Sequence, residues 1–93
     1  MVSAQDLDFS RRTKGIKMAR IIPLHWRKLI RIFELDDWKL DRISGDHMVL
    51  IKSGFNRPIV IPKEKEVQVF IIKNNLKTAK ISREKYFDLL KII

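Results

Sequence analysis

Three short strand-like runs joined by very short turns constrain this chain more than any other feature. "WKLDRIS" alternates through Trp38, Leu40 and Arg42 on one face and Lys39, Asp41 and Ile43 on the other, until Gly45 breaks it. "HMVLIKS" makes a second run and "GFNR" supplies turn residues. "PIVIP" is a third run, bounded by Pro58 and Pro62, whose missing donors suit a sheet edge. Tight turns between adjacent runs predict a three-stranded antiparallel meander.

Helical periodicity flanks the meander. Trp26, Leu29, Ile30 and Phe33 recur at three- and four-residue steps after Leu24, with Arg27, Lys28 and Arg31 between them, which predicts an amphipathic helix. "EKEVQVFIIKNNLK" reads two ways. Val67, Val69, Ile71 and Ile72 are β-branched, whereas Val69, Ile72, Leu76 and Ala79 share one helical face and Glu64 and Glu66 suit a helix start. A helix is the favoured reading and a fourth strand the alternative. In the last segment Ser82 can cap a helix, Ile81 and Tyr86 can form a hydrophobic staple, and Tyr86, Leu90 and Ile93 make an apolar face. The order helix, three strands, two helices predicts an α+β domain with its helices on one face of the sheet. Trp26, Phe33, Phe70, Leu76, Phe87 and Leu90 are expected to supply its core.

The 93 residues suffice for one core and no more. Residues 1–22 carry Arg11, Arg12, Lys14, Lys17 and Arg20 with little apolar periodicity, so they are expected to form a basic arm ahead of a folded domain at 23–93. The chain has 20 Lys and Arg against 11 Asp and Glu, a net charge of +9, which points to an anionic partner: nucleic acid first, an acidic protein second. Cysteine is absent, so neither disulfides nor thiolate zinc can staple the fold, and hydrophobic packing must suffice. No apolar run is long enough for a membrane span, and MVSAQDLDF lacks a signal-peptide layout, so a cytoplasmic protein without membrane contact is expected.

Few residues in this chain can do chemistry. His25 and His47 are widely separated and lack metal-ligand spacing, no phosphate-cradling glycine loop is present, and no serine pairs with a base by spacing. His25 is expected on the exposed side of the first helix, as a structural or solvated residue. His47 stands at the end of the turn "SGDH", where an imidazole can give or take a proton at neutral pH. Lys39, Arg42, Lys52, Arg57 and Lys63 lie on or beside the same small sheet, where cations could hold a scissile phosphate and offset transition-state charge. The plainer reading is a solvated charged rim with one more polar residue at its edge.

The stretch "LIRIFELDDWKLDRISGDHMVLIK", followed by "RPIVIPKEKEV", an apolar helix and "ISREKYFDLL", resembles the HicA (YcfA-like) toxin family over roughly residues 24–92. Its members carry a glycine-serine-histidine motif at the turn between the first two strands. The resemblance implies a double-stranded-RNA-binding-domain-like fold, metal-independent endoribonuclease activity on mRNA that needs no cofactor, and neutralisation by a HicB-type antitoxin. It aligns Gly45 and His47 with the motif and makes His47 the catalytic histidine. Three positions depart from the pattern: Asp46 replaces the usual serine, Met48 replaces a second histidine found in many members, and "IPKEKEV" lacks the histidine often found after the third strand. Asp46 could orient His47 but would repel phosphate, and general acid-base cleavage needs a second proton carrier, left here to lysine or water. A non-catalytic RNA-binding module, with His47 as a mere contact, is the alternative, and a pure protein-interaction domain is the third reading.

Overall fold

The computed structural model describes residues 20–93, so the expected arm lies, but for its last residues, outside the described part. The elements are α1 (Trp26–Leu35), β1 (Lys39–Ser44), β2 (His47–Ile51), β3 (Ile59–Pro62), α2 (Val69–Ala79) and α3 (Arg83–Ile92). The sheet is antiparallel throughout, in the order β1-β2-β3. This is the α+β arrangement expected from the spacing of turns and apolar residues. Among the described residues no helix is long and apolar enough to cross a membrane.

One face of the sheet is the core face. Met48 and Leu50 of β2 pair with Ile61 and Ile59 of β3, and all four join a cluster with Leu29, Ile32, Phe33, Ile72, Leu76, Ala79 and Tyr86 from the helices. α1 and α2 pack on β3, and α3 packs on α1. The other face carries His47, Val49 and Ile51 from β2, with Val60 and Pro62 opposite. On it Val60 and Ile51 stay exposed, whereas Val49 and Pro62 are buried.

β1 departs from its expected alternation. Its register with β2 slips between Leu40 and Arg42, so that Asp41 is an extra residue. A bulge shifts the pleat by one, which puts Leu40 and Ile43 on the core side and Lys39 and Arg42 together on the open side. Trp38, expected to share a face with Leu40 and Arg42, instead precedes β1 and is 1 % exposed, edge-on to Phe33 and tilted against Phe55. Its indole N–H is buried without a hydrogen-bond partner among the described residues.

Two helix ends are closed by side-chain-bearing residues in the left-handed conformation usually given to glycine. After α1, Asp37 has φ 71°, its N–H reaches the carbonyl of Glu34, and the N–H of Trp38 reaches that of Phe33. After α2, Lys80 has φ 57°, its N–H reaches Lys77, and the N–H of Ile81 reaches Leu76. Both are six-to-one and five-to-two closures, and in both the next residue, Trp38 or Ile81, is buried. That burial offsets the cost of the conformation.

The ambiguous segment is helical from Val69, with Ile72, Leu76 and Ala79 buried as the shared face required. Its β-branched start leaves one trace, a single bridge between Val67 and Leu24. Glu64 and Glu66 do not lie in the helix's first turn; Gln68 precedes it, and the Glu64 carbonyl instead accepts from the N–H of Trp26 at 3.1 Å. Phe70 is not in the core: it stands 64 % exposed on the outer side of α2. Buried Asn75 sits on the inner side of that helix and donates to the Val60 carbonyl of β3 at 3.0 Å. In α3, Ser82 accepts from Lys85 N–H as expected, and Ile81 and Tyr86 are both buried.

Candidate functional site

The β1–β2 hairpin presents His47. Ser44 and His47 are direct partners, so Gly45 and Asp46 are the two central residues of the turn. Gly45 has φ 59° and Asp46 is not left-handed, the arrangement of a type II′ turn, which suits the twist of the flanking strands. A Cβ at Gly45 would meet nothing within 4 Å, so the position demands glycine for its backbone rather than for space. Gly45→Ala is expected to cost about 1–2 kcal/mol through that conformation alone. Thermal unfolding of the variant measures it.

The turn is clipped to the next connection. Lys63 N–H donates to the Asp46 carbonyl at 2.7 Å, just past Pro62, the register partner of His47. The Lys63 ammonium lies 5.6 Å from the centre of the Trp26 ring, whose other neighbours are the Arg27 guanidinium at 5.2 Å and the His25 ring, stacked at 5.8 Å. Trp26, read from the sequence as core, is half-buried and forms the floor under these cations. His25 does not face solvent along the helix; it caps α1, its Nδ1 accepting from Arg27 N–H at 3.1 Å.

His47 is exposed at the first position of β2, and no hydrogen bond or ion pair engages its ring among the described residues. Asp46 does not orient it. Arg42, opposite Val49, is its diagonal neighbour on the open face, about 7–8 Å away between Cα atoms. The Arg42 side chain is 64 % exposed, and its guanidinium donates to the Asp41 carboxylate at 2.8 Å. Lys39 is on the same face opposite Ile51, roughly 13 Å along the strand from His47. His47, Arg42 and Lys39 thus share one side of the sheet, whereas Lys63, one residue beyond Pro62, carries its ammonium over Trp26 of α1, on the helix side.

The remaining two cations are elsewhere. Lys52 follows Ile51 onto the core side, where its ammonium bonds Asp36 at 3.3 Å and lies 5.3 Å from the Phe55 ring centre. It holds the fold together. Arg57 is in the β2–β3 connection, at the far end of β3 from His47, beside Asn74, Lys77 and Thr78. Sequence reasoning did not place Ser44 opposite His47, although the two-residue turn puts it there, nor Trp26 beneath the Arg27 and Lys63 cations. Among the described residues no three of His, Asp and Glu converge as metal ligands would.

A comparison with known families decides the assignment: residues 26–81, from α1 to the end of α2, match the model of the HicA toxin of bacterial toxin–antitoxin systems. The chain belongs to the HicA toxin family. No curated protein and no solved structure gives a match. The matched span of this HicA-family toxin contains the whole sheet, the His47 turn and the clip to Lys63, and it ends before α3. Membership in a toxin–antitoxin family implies an antitoxin partner.

Proposed function

We propose that this HicA-family chain is a metal-independent endoribonuclease that cleaves mRNA in the cytoplasm, with His47 as its proton carrier. One observation supports it most: an exposed, unengaged imidazole on an open sheet face, with Lys63 beside its turn and Arg42 diagonal to it, in a chain of net charge +9. His47 takes the proton from a ribose 2′-hydroxyl, or gives one to the leaving 5′-oxygen. The 2′-oxygen attacks the adjacent phosphorus, the bond to the 5′-oxygen breaks, and a cyclic phosphate and a 5′-hydroxyl remain, the proton transfer that His47 does not perform falling to a lysine or water. Lys63 and Arg42 offset the charge that gathers on the phosphate oxygens. Incubation of RNA with the wild type and His47→Ala, in the presence of a chelator, tests this. Cutting by the wild type alone supports it, and cutting by both removes His47 from the mechanism.

A second reading, the non-catalytic RNA-binding module, draws on a specific observation. The other histidine, His25, has its Nδ1 occupied as the cap of α1, which leaves no second free imidazole among the described residues to share the proton transfers. RNA bound equally by both variants and cut by neither decides for that reading.

Either way, RNA affinity is expected to fall with salt. Lys39, Arg42 and Lys63 neutralising one phosphate each give a slope of about −2 in log K against log salt, at roughly 0.7 per phosphate for single strands. A flat response in a filter-binding titration removes the electrostatic argument. The HicB-type antitoxin is an acidic partner that covers His47 and Arg42, steered there by opposite charge. A complex that leaves both exposed and RNA cleavage undiminished excludes that mode of inhibition.

A further inference from the structure

The outer face of α2, with the cleft at its C-terminal end, has no part in the His47 site. Helical spacing puts Phe70, Lys73, Asn74 and Lys77 on one side, opposite the buried Ile72, Asn75 and Leu76. At the far end Asn74, Lys77 and Thr78 line a cleft with Arg57 from the β2–β3 connection. No acidic side chain lines it, and the chain from Val67 to Ser82 contains Lys73, Lys77 and Lys80 but no Asp or Glu. Neither Arg57 nor Lys77 makes an ion pair among the described residues.

We infer that this face is a second RNA subsite, which holds single-stranded RNA beyond the cleaved step: Arg57 and Lys77 bind a backbone phosphate and Phe70 stacks on a base. It rests on the reading that RNA is the substrate and adds where the strand runs and that it is unpaired there. Two unpaired cations with an amide and a hydroxyl match a phosphate's acceptors. An exposed aromatic at one end of a basic strip is the usual platform for unpaired bases, because stacking needs a free ring face that a duplex does not offer.

Topology makes the strip continuous with the catalytic end. β3 ends at Pro62 opposite His47, and α2 starts seven residues later. The Asn75 bond to Val60 carries the helix back along β3, toward Arg57. Phe70 therefore lies toward the His47 end and Lys77 toward the Arg57 end, roughly 10 Å apart along the helix axis. A strand crossing the β3 edge from His47 meets the ring first and the cleft next.

The test uses the full chain carrying His47→Ala, so that RNA is bound and not cut. Binding of a labelled single-stranded oligoribonucleotide is followed by fluorescence anisotropy across a salt series, with a matched RNA duplex and inorganic phosphate in parallel. Arg57→Ala with Lys77→Ala is expected to weaken binding and make the salt slope shallower by about 1.4, at roughly 0.7 per lost phosphate contact. Phe70→Ala is expected to weaken single-strand binding on the order of tenfold with the slope unchanged, and Phe70→Trp to restore it. Duplex affinity is expected to be insensitive to Phe70.

Unchanged affinity and slope overturn the inference. So does a cleft that binds inorganic phosphate as tightly as RNA, which would make it a free-anion site. Phe70→Ala that impairs antitoxin capture and leaves RNA binding intact gives the face to a protein and overturns it too. Cleavage by chains with native His47, measured alongside, separates the two readings. A lost salt contribution without any cleavage leaves the subsite standing and removes the nuclease; normal cleavage with an unchanged slope does the reverse.

Discussion

His47→Ala is expected to lower the rate of RNA cleavage by about 10²–10⁴-fold while leaving the fold and most of the RNA affinity in place, because a positioned proton carrier contributes that much to a transition state. The fold should survive, since the imidazole is exposed and makes no hydrogen bond among the described residues. Strand pairing at this point is a backbone matter, shared with Ser44 and Pro62. Affinity should survive because the proposed phosphate contacts belong to Lys39, Arg42 and Lys63, not to the imidazole. The measurement is a single-turnover cleavage rate with circular dichroism on the same samples. In cells, induction of the wild type should arrest growth and induction of the variant should not. A variant that still arrests growth and still cuts RNA would falsify the assignment of the proton to His47. His47→Gln separates shape from proton transfer: it keeps a polar side chain at the turn without a titratable group and should be as slow as the alanine variant.

The sequence made most of this layout legible where local rules and tertiary packing agree. The two-residue turn at Gly45 set the β1–β2 register, and with it the face of His47. Ser82 and the Ile81–Tyr86 pair marked the start of α3 because a cap and a staple are local signals. What stayed hidden depends on contacts distant in sequence. The Asp41 bulge has no signature in "KLDRIS", so Leu40 and Arg42 were read on one face when the pleat puts them on two. Phe70 reads as core by residue type, but the shared face of Ile72, Leu76 and Ala79 faces β3 and leaves position 70 outside. Asp37 and Lys80 close helices without glycine, because burial of Trp38 and Ile81 decides there. The candidate site was legible only as a histidine in a glycine turn near several cations. Which cations are available was not. Lys52 is removed by an aspartate sixteen positions away in sequence, and Lys63 is joined to the turn by a backbone hydrogen bond.

That aspartate carries the largest expected effect on stability. Asp36 is 7 % exposed at the end of α1, with Lys85 at 2.6 Å from α3 and Lys52 at 3.3 Å from the end of β2. Burial opposes its charge and pushes the carboxyl up, but hydrogen bonds from Lys85 and then Lys52, with their charges, outweigh this and hold it below the ordinary aspartate range. Asp36→Ala removes the shared anion of three elements and leaves two cations facing each other across the gap. Breaking a buried pair costs about 3–5 kcal/mol, and the low end, about 3, applies here because Lys85 is half-exposed and can turn to water. For a domain this small that lowers Tm by roughly 12–24 °C. The pH dependence has a definite sign. A carboxyl depressed in the folded state adds stability above its unfolded pKa, about 3.9, and loses it as the pH falls through the lower folded value. Wild type should therefore lose stability below about pH 4 more steeply than Asp36→Asn, which has no charge to lose there. Thermal melts of both chains between neutral and acid pH check this, and parallel curves would show that the Lys52–Asp36–Lys85 bridge contributes nothing to the fold.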